Sequence, residues 1–133
     1  MLYENMPEST IGEKIKKQRF IHHLERNELA KLVGCHIDAV EKWEKDNVYP
    51  KMSNLKKLCQ LFGVSAGYFD KYYETLEGNY IEKILTYKTK NKLSYKQLGC
   101  LLGISESALI RLISKKLSLS LNLFNVLNDR SIL

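Results

Sequence analysis

Length, composition and charge restrict the classes of protein to which the chain can belong. It has 133 residues and a formal net charge of +6 at pH 7, and residues 71–133 carry 10 lysines and arginines against 5 acidic residues. No stretch reaches the roughly twenty apolar residues of a membrane span, and residues 1–7 do not form a secretory leader. We therefore expect a cytoplasmic protein with no membrane partner. Its basic half points first to nucleic acid, although ordinary solubilising lysines would give the same count.

In the first half of the chain, apolar residues at helical spacing and helix-breaking residues predict five helices. Residues 1–8 are expected to form a short tail, and Ser9 or Thr10 can cap the first helix. The predicted helices cover residues of about 10–22, 26–32, 37–45, 51–61 and 66–76. Gly34 suits a positive φ angle, so we expect a tight turn between the second helix and the third.

In the second half the same order of elements follows a short linker. The predicted helices cover residues of about 80–90, 95–101, 106–115 and 121–129, and Ser105 can cap the third of these. The start of the last helix is ambiguous, because leucines alternate with polar residues from Leu117 to Leu123, a pattern typical of a strand. We predict a helix with Ser120 as its N-cap, and a strand is the alternative.

The two halves share one pattern of residues. Sliding the sequence on itself by 69 positions superimposes the segment from Leu24 to Gly34 on the segment from Leu93 to Gly103. A repeat of this length predicts two small domains of one fold. The predicted organisation is a tail (1–8), a first domain (9–76), a linker (77–79) and a second domain (80–133). Domains of this size are marginally stable alone, so we expect them to pack on each other or on a second chain.

Residues 11–70 resemble the lambda-repressor-like (Cro/CI, XRE-type) helix-turn-helix DNA-binding family. An ordered series carries the resemblance: Ile11-Gly12 through Lys16-Lys17 and Arg19, Leu24 with Glu28-Leu29-Ala30 and Gly34, Val40 with Trp43-Glu44, Pro50 with Leu55 and Leu58, and Phe62-Gly63-Val64-Ser65 with Tyr68-Phe69. Residues 80–128 resemble the same family more weakly, without its Trp-Glu pair and its terminal helix. The resemblance implies an all-α fold of two tandem lambda-repressor-like domains, the second truncated, in which the third helix enters the major groove.

The resemblance also implies an ion pair and a DNA-facing surface in the first copy. Arg19 and Glu44 match the family's ion pair between helices one and three. The residues implied to face the groove or the phosphates are Arg26, His36, Ile37, Asp38, Glu41, Lys42, Lys45 and Asn47. Asp38 and Glu41 are acidic where Gln, Ser, Arg or Lys is more usual, so specific readout is possible but non-specific affinity should be weak. The alternative is that this face is solvated or binds a protein.

In the second copy, the ion pair cannot form, because Lys88 and Ile113 occupy the equivalent positions. The residues implied to contact DNA there are Ser94, Tyr95, Ser105, Glu106, Ser107, Arg111, Lys115 and Lys116. Arg111 is the best candidate for a bidentate contact with guanine. Apolar residues surround more of the third helix than one core needs. For Ile110 and Ile113, contact with DNA and burial against another domain or subunit are therefore equally good interpretations.

No residues in the sequence suggest an enzyme, a cofactor or a metal site. Cys35, Cys59 and Cys100 are odd in number, lack metal-ligand spacing and fall at apolar helical positions, so we expect reduced core thiols. His22 and His23 are adjacent, which does not place two ligands on one helix face. No nucleophile with an evident base and no glycine-rich phosphate loop occurs.

The leading hypothesis is therefore a sequence-specific regulator of transcription, of bacterial or phage type, that binds double-stranded DNA, acts as a repressor and forms a homodimer. The alternative is a protein-interaction module on the same scaffold, such as an antirepressor or an antitoxin, in which the second domain mediates dimerisation.

Overall fold

The computed structural model describes residues 3–133, and within this range it contains helices and no strands. The chain divides into a first unit that ends at Tyr73 and a second unit, Glu74–Leu133. Residues 1–2 of the predicted tail lie outside the described residues. Among the described residues, no helix has the length and the apolar character needed to cross a membrane.

A short 3-10 helix (Tyr3–Asn5) comes first in the described chain, and six α-helices follow it. They are α1 (Ile11–Ile21), α2 (Arg26–Val33), α3 (Ile37–Asp46), α4 (Met52–Phe62), α5 (Ala66–Phe69) and α6 (Lys71–Glu77), the last of which crosses the boundary between the units. Thr10 caps α1 in a capping box with Glu13, and the left-handed Gly34 (φ 82°) ends α2. Polar caps and a glycine therefore set these helix ends, as their physical chemistry requires.

The core of the first unit is formed by the apolar stripes of its helices. Its fully or nearly fully buried side chains include Ile11, Ile15, Leu29, Ala30, Val33, Val40, Trp43, Leu55, Leu58, Phe62, Phe69 and Tyr73. The Tyr73 hydroxyl donates a 2.6 Å hydrogen bond to the Pro50 carbonyl oxygen, which gives the one polar atom of that ring a partner inside the core.

The prediction of one helix over residues 66–76 was wrong. The chain breaks at Asp70, which has extended backbone angles (φ −169°, ψ 148°). One Asp70 carboxylate oxygen accepts from the backbone N–H of Tyr72 at 2.9 Å, and the other accepts from the Tyr49 hydroxyl at 3.0 Å. An aspartate that bonds to the backbone two residues ahead competes with a continuous helix, and this competition separates α5 from α6.

The second unit contains four further helices, α7 (Tyr80–Lys90), α8 (Tyr95–Leu102), α9 (Glu106–Ile113) and α10 (Leu121–Asp129). Ser94, Ser105 and Ser120 cap α8, α9 and α10 through their hydroxyl oxygens. The structure thus agrees with the helix predicted after Ser120, and residues 117–123 do not form the alternative strand. Helix α9 ends two residues before its predicted end at 115, because Lys115 adopts a left-handed conformation (φ 62°).

The cysteines are only partly as expected. Cys35 and Cys59 are half-buried and unbridged, whereas Cys100 is exposed, so the prediction of a core thiol is wrong for Cys100. Burial raises the pKa of the Cys35 thiol, which keeps that side chain protonated at neutral pH. No cluster of His, Cys, Asp or Glu within the described part of the chain is arranged to hold a metal ion.

Helix α1 starts directly against the end of α3. A Cβ atom added to Gly12 would lie 2.6 Å from the Trp43 carbonyl oxygen and 2.7 Å from the Glu44 carbonyl oxygen. The Gly12 N–H donates a 3.0 Å hydrogen bond to the Asn47 side-chain oxygen. Only glycine allows this approach, because the nearest atoms are backbone atoms that cannot move away independently.

Gly12→Ala should lower the free energy of unfolding by about 1–3 kcal/mol, since the added methyl group overpacks the contact between α1 and α3. Urea unfolding followed by the fluorescence of Trp43, the only tryptophan in the chain, measures this change. Gly78→Ala is the control, because its added Cβ would meet only ordinary contacts at 3.6 Å. Equal stability of the two variants would contradict the packing argument.

Candidate nucleic-acid interface

A buried carboxylate connects the three helices that carry the candidate interface of the first unit. Glu44 on α3 accepts from Arg19 Nε at 2.8 Å and from Arg19 Nη2 at 2.9 Å. The side chains of Arg19 and Glu44 are only 6% and 1% exposed, and Arg19 Nη1 also donates to the Leu24 carbonyl oxygen at 3.0 Å. This two-bond geometry satisfies the buried charges and fixes α1, and the turn after it, against α3.

A second arginine shares the same carboxylate. Arg26 at the start of α2 donates from Nε to Glu44 Oε1 at 3.2 Å, and its side chain is 30% exposed. The sequence pattern implied that Arg26 contacts phosphate, but it did not indicate this ion pair with Glu44. The guanidinium of Arg26 is therefore held in place from one side and remains accessible from the other.

The outward face of α3 carries mixed charge. Asp38, Lys42 and Lys45 are exposed, and Ile37 and Glu41 are half-buried. The Asp38 and Lys42 side chains can thus reach a bound molecule, as a reading helix requires. The structure brings these predicted residues together on one helix.

Two other residues that were predicted to contact DNA define the two ends of α3. The His36 ring nitrogen Nδ1 accepts from the Asp38 backbone N–H at 3.1 Å and caps the start of the helix. Asn47 ends the helix in a left-handed conformation (φ 52°), and its side-chain oxygen accepts the hydrogen bond from the Gly12 N–H. Both residues are exposed, so their remaining donors are open to solvent, but each has a structural role as well.

An open cavity of about 710 Å³ lies beside the turn between α1 and α2, next to the start of α3. Its walls include Phe20, Leu24, Arg26, Ile37 and Glu41. Arg26 at the start of α2 and Ile37 and Glu41 on α3 therefore line one concave surface of the first unit.

In the second unit, the equivalent positions have different chemistry. At the offset of 69 positions, Lys88, Tyr95 and Ile113 replace Arg19, Arg26 and Glu44. The Lys88 ammonium nitrogen lies 4.2 Å from the centre of the Tyr95 ring, which is a cation–π contact. The cation–π contact of Lys88 with Tyr95 therefore replaces the two ion pairs that Arg19 and Arg26 form with Glu44 in the first unit.

The two helices of the second candidate motif are in close contact. Gly99 takes the place of the buried Ala30, and a Cβ atom added there would lie 2.9 Å from the Ile104 carbonyl oxygen. All the residues of this unit that were predicted to contact DNA are exposed: Ser94, Tyr95, Ser105, Glu106, Ser107, Arg111, Lys115 and Lys116. Ile110 is 46% exposed, and Ile113 is half-buried.

Comparison with known proteins identifies the first unit. Residues 15–69 match the sequence model of a helix-turn-helix family, the lambda-repressor-like or XRE type. The first unit is therefore a helix-turn-helix domain of this family, whose members are DNA-binding regulators of transcription and typically not enzymes. The second unit lies outside the match. No curated protein and no solved structure matches the chain.

Glu44→Gln should lower the free energy of unfolding by about 3–5 kcal/mol, because it leaves the buried Arg19 without its counter-charge. Trp43 fluorescence during urea unfolding measures the loss. Glu41→Gln on the same helix removes a carboxylate without an ion pair and should change stability by less than about 0.5 kcal/mol.

Arg26→Gln provides a second comparison for the same cluster. It leaves the bonds between Arg19 and Glu44 intact and removes a partly exposed partner, so we expect a loss of at most about 1 kcal/mol. If Glu44→Gln were no less stable than Glu41→Gln, the buried pair would not stabilise the domain.

Proposed function

We propose that the protein is a sequence-specific regulator of transcription that binds double-stranded DNA, of bacterial or phage type, and that it acts as a repressor. The observation that carries the proposal is the helix-turn-helix domain over residues 15–69, whose third helix carries exposed polar side chains. Such a helix lies in the major groove. Repression needs no chemistry in this case, because a bound domain blocks polymerase by occupying the site.

The residues of α3 suggest how sequence is read. A carboxylate at Asp38 or Glu41 can accept from cytosine N4, Lys42 can donate to guanine, and Ile37 can contact a thymine methyl group. Nearby, phosphates would be held by Arg26, His36, Lys45 and Asn47. Readout by acids is specific but weak without phosphate contacts, because the carboxylates repel the DNA backbone.

Selection of bound duplexes from a random DNA pool should return one enriched sequence motif. Asp38→Asn should change the preferred base at one position, at a cost of about 1–3 kcal/mol on the original site, because a carboxylate and an amide prefer different base edges. Lys56→Gln, an exposed lysine on α4, is the control and should keep the motif. Absence of salt-sensitive affinity for every duplex would contradict the proposed function.

The acidic residues on α3 favour a second candidate function, a protein-interaction module on the same scaffold that acts as an antirepressor or an antitoxin. Exchanging both Asp38 and Glu41 for lysine distinguishes the two functions. If α3 faces DNA, this double change should raise affinity for a scrambled duplex by removing repulsion and abolish the preference for the selected one. If α3 instead binds a protein partner, duplex affinity should stay as it is.

We also propose that two chains act together, with half-sites one helical turn or about 34–36 Å apart. Support comes from Ile110 and Leu117, large apolar side chains that are 46% and 40% exposed. Ile110→Asp should convert a dimer into a monomer, since a charge is costly in an apolar interface. Light scattering measures the mass, and Leu32→Asp is the control, because Leu32 is more exposed than Ile110 (57%) but lies on α2.

A further inference from the structure

We infer that the second unit is a phosphate-binding anchor that supplies most of the electrostatic affinity for duplex DNA, whereas the first unit supplies the sequence readout. This inference rests on the proposed function and assigns its two components to different units. Its partner is the DNA backbone itself, recognised through its regular negative charge and without regard to sequence.

Net charge separates the two helix-turn-helix segments. Residues 19–47 contain five lysines and arginines against six acidic residues, whereas residues 88–116, the equivalent segment, contain seven against one. Affinity for the DNA backbone grows with the number of phosphates that cations neutralise. The first segment, with a net charge of −1, has little to contribute to that number, and the second, with +6, has much more.

The units also differ in how their lysines and arginines are paired. In the first unit, ion pairs join Lys17 to Glu8 and both Arg19 and Arg26 to Glu44. Among residues 74–133, all of them described, no lysine or arginine forms an ion pair. These charges are therefore available to phosphates without first breaking an internal pair.

The helix starts that would approach the phosphates differ in the same direction. Helix α2 begins with Glu25 and Glu28, and the Glu28 carboxylate accepts from the Glu25 N–H at 3.0 Å. At the equivalent positions, α8 has the neutral pair Ser94 and Gln97, bonded to each other's backbone. A helix N-terminus favours an anion, and of these two equivalent helix starts only that of α8 is free of carboxylates that compete with phosphate.

Two of the lysines lie where the backbone favours glycine. Lys92 (φ 54°) follows α7, and Lys115 (φ 62°) follows α9. His23, the first-unit residue equivalent to Lys92, has the same left-handed geometry (φ 56°), so this turn belongs to the fold of both units. The difference lies in the side chain, which carries a permanent positive charge only in the second unit.

The test compares two triple variants with the same change in net charge. Lys90, Lys92 and Lys96 become glutamine in one, and Lys31, Lys42 and Lys45 become glutamine in the other; all six residues are exposed. Affinity for a mixed-sequence DNA duplex is measured between about 50 and 200 mM salt. The slope of log K against log salt should become less negative by about 2.7 in the first variant and by less than about 1 in the second.

The outcomes are distinct. Loss of affinity by the 90/92/96 variant should be equal on the selected duplex and on a scrambled one, because phosphate contacts carry no sequence information. The inference is overturned if both triples change the slope equally, if only the 31/42/45 variant does, or if the 90/92/96 variant loses affinity for the selected duplex alone. If the unmodified protein binds no duplex, the proposed function itself fails. Circular dichroism checks that both variants keep their helices.

Discussion

The buried carboxylate of Glu44 is the constraint on which the first unit depends. It lies on the helix proposed to read DNA, and it is held by one arginine from α1 and one from α2. Any rotation of α3 about its axis would strand a charge in a site that is almost free of water, which is costly. The contact of Gly12 with the end of α3 adds a steric limit to the electrostatic one. Together they fix the face that α3 turns outward.

The same constraint limits what the first unit can offer a polyanion. Both of its arginines face a carboxylate, and α3 carries acids of its own. A precisely held helix suits discrimination between bases, which depends on geometry. Attraction to the DNA backbone depends instead on uncompensated charge, and the second unit has more of it. The division of these two properties that we propose would account for the different side chains of the two units.

Much of the fold could be predicted from the sequence, because local chemistry decides it. Thr10, Gly34 and Ser120 mark helix ends by capping and by backbone freedom, and each acts within a few residues of itself. The break at Asp70 was missed although one of its causes is local, the bond from the Tyr72 N–H to the Asp70 carboxylate. The bond from the Tyr49 hydroxyl that holds the same carboxylate joins distant residues and has no signal in the sequence. The exposure of Cys100 was also missed. An apolar position in a helical pattern does not show whether neighbouring elements extend far enough to bury the side chain there.

The candidate site was less predictable than the fold. Family likeness suggested Arg19 and Glu44, but the sharing of Glu44 with Arg26 depends on three helices meeting at one point, which residue spacing does not encode. The lysine on Tyr95 was missed for a similar reason, since it joins two helices. One signal was available in the sequence: the pairing of positions at the offset of 69, which shows that Glu44 corresponds to an isoleucine.

That correspondence limits the order in which substitutions can accumulate. A domain with the buried pair of Arg19 and Glu44 cannot lose its carboxylate first, because the arginine would be left as an unpaired charge in the core. The opposite order costs less, because Arg26 would still share the Glu44 carboxylate if Arg19 were replaced. Substitution at these two positions is therefore coupled, and the cation has to change before the acid.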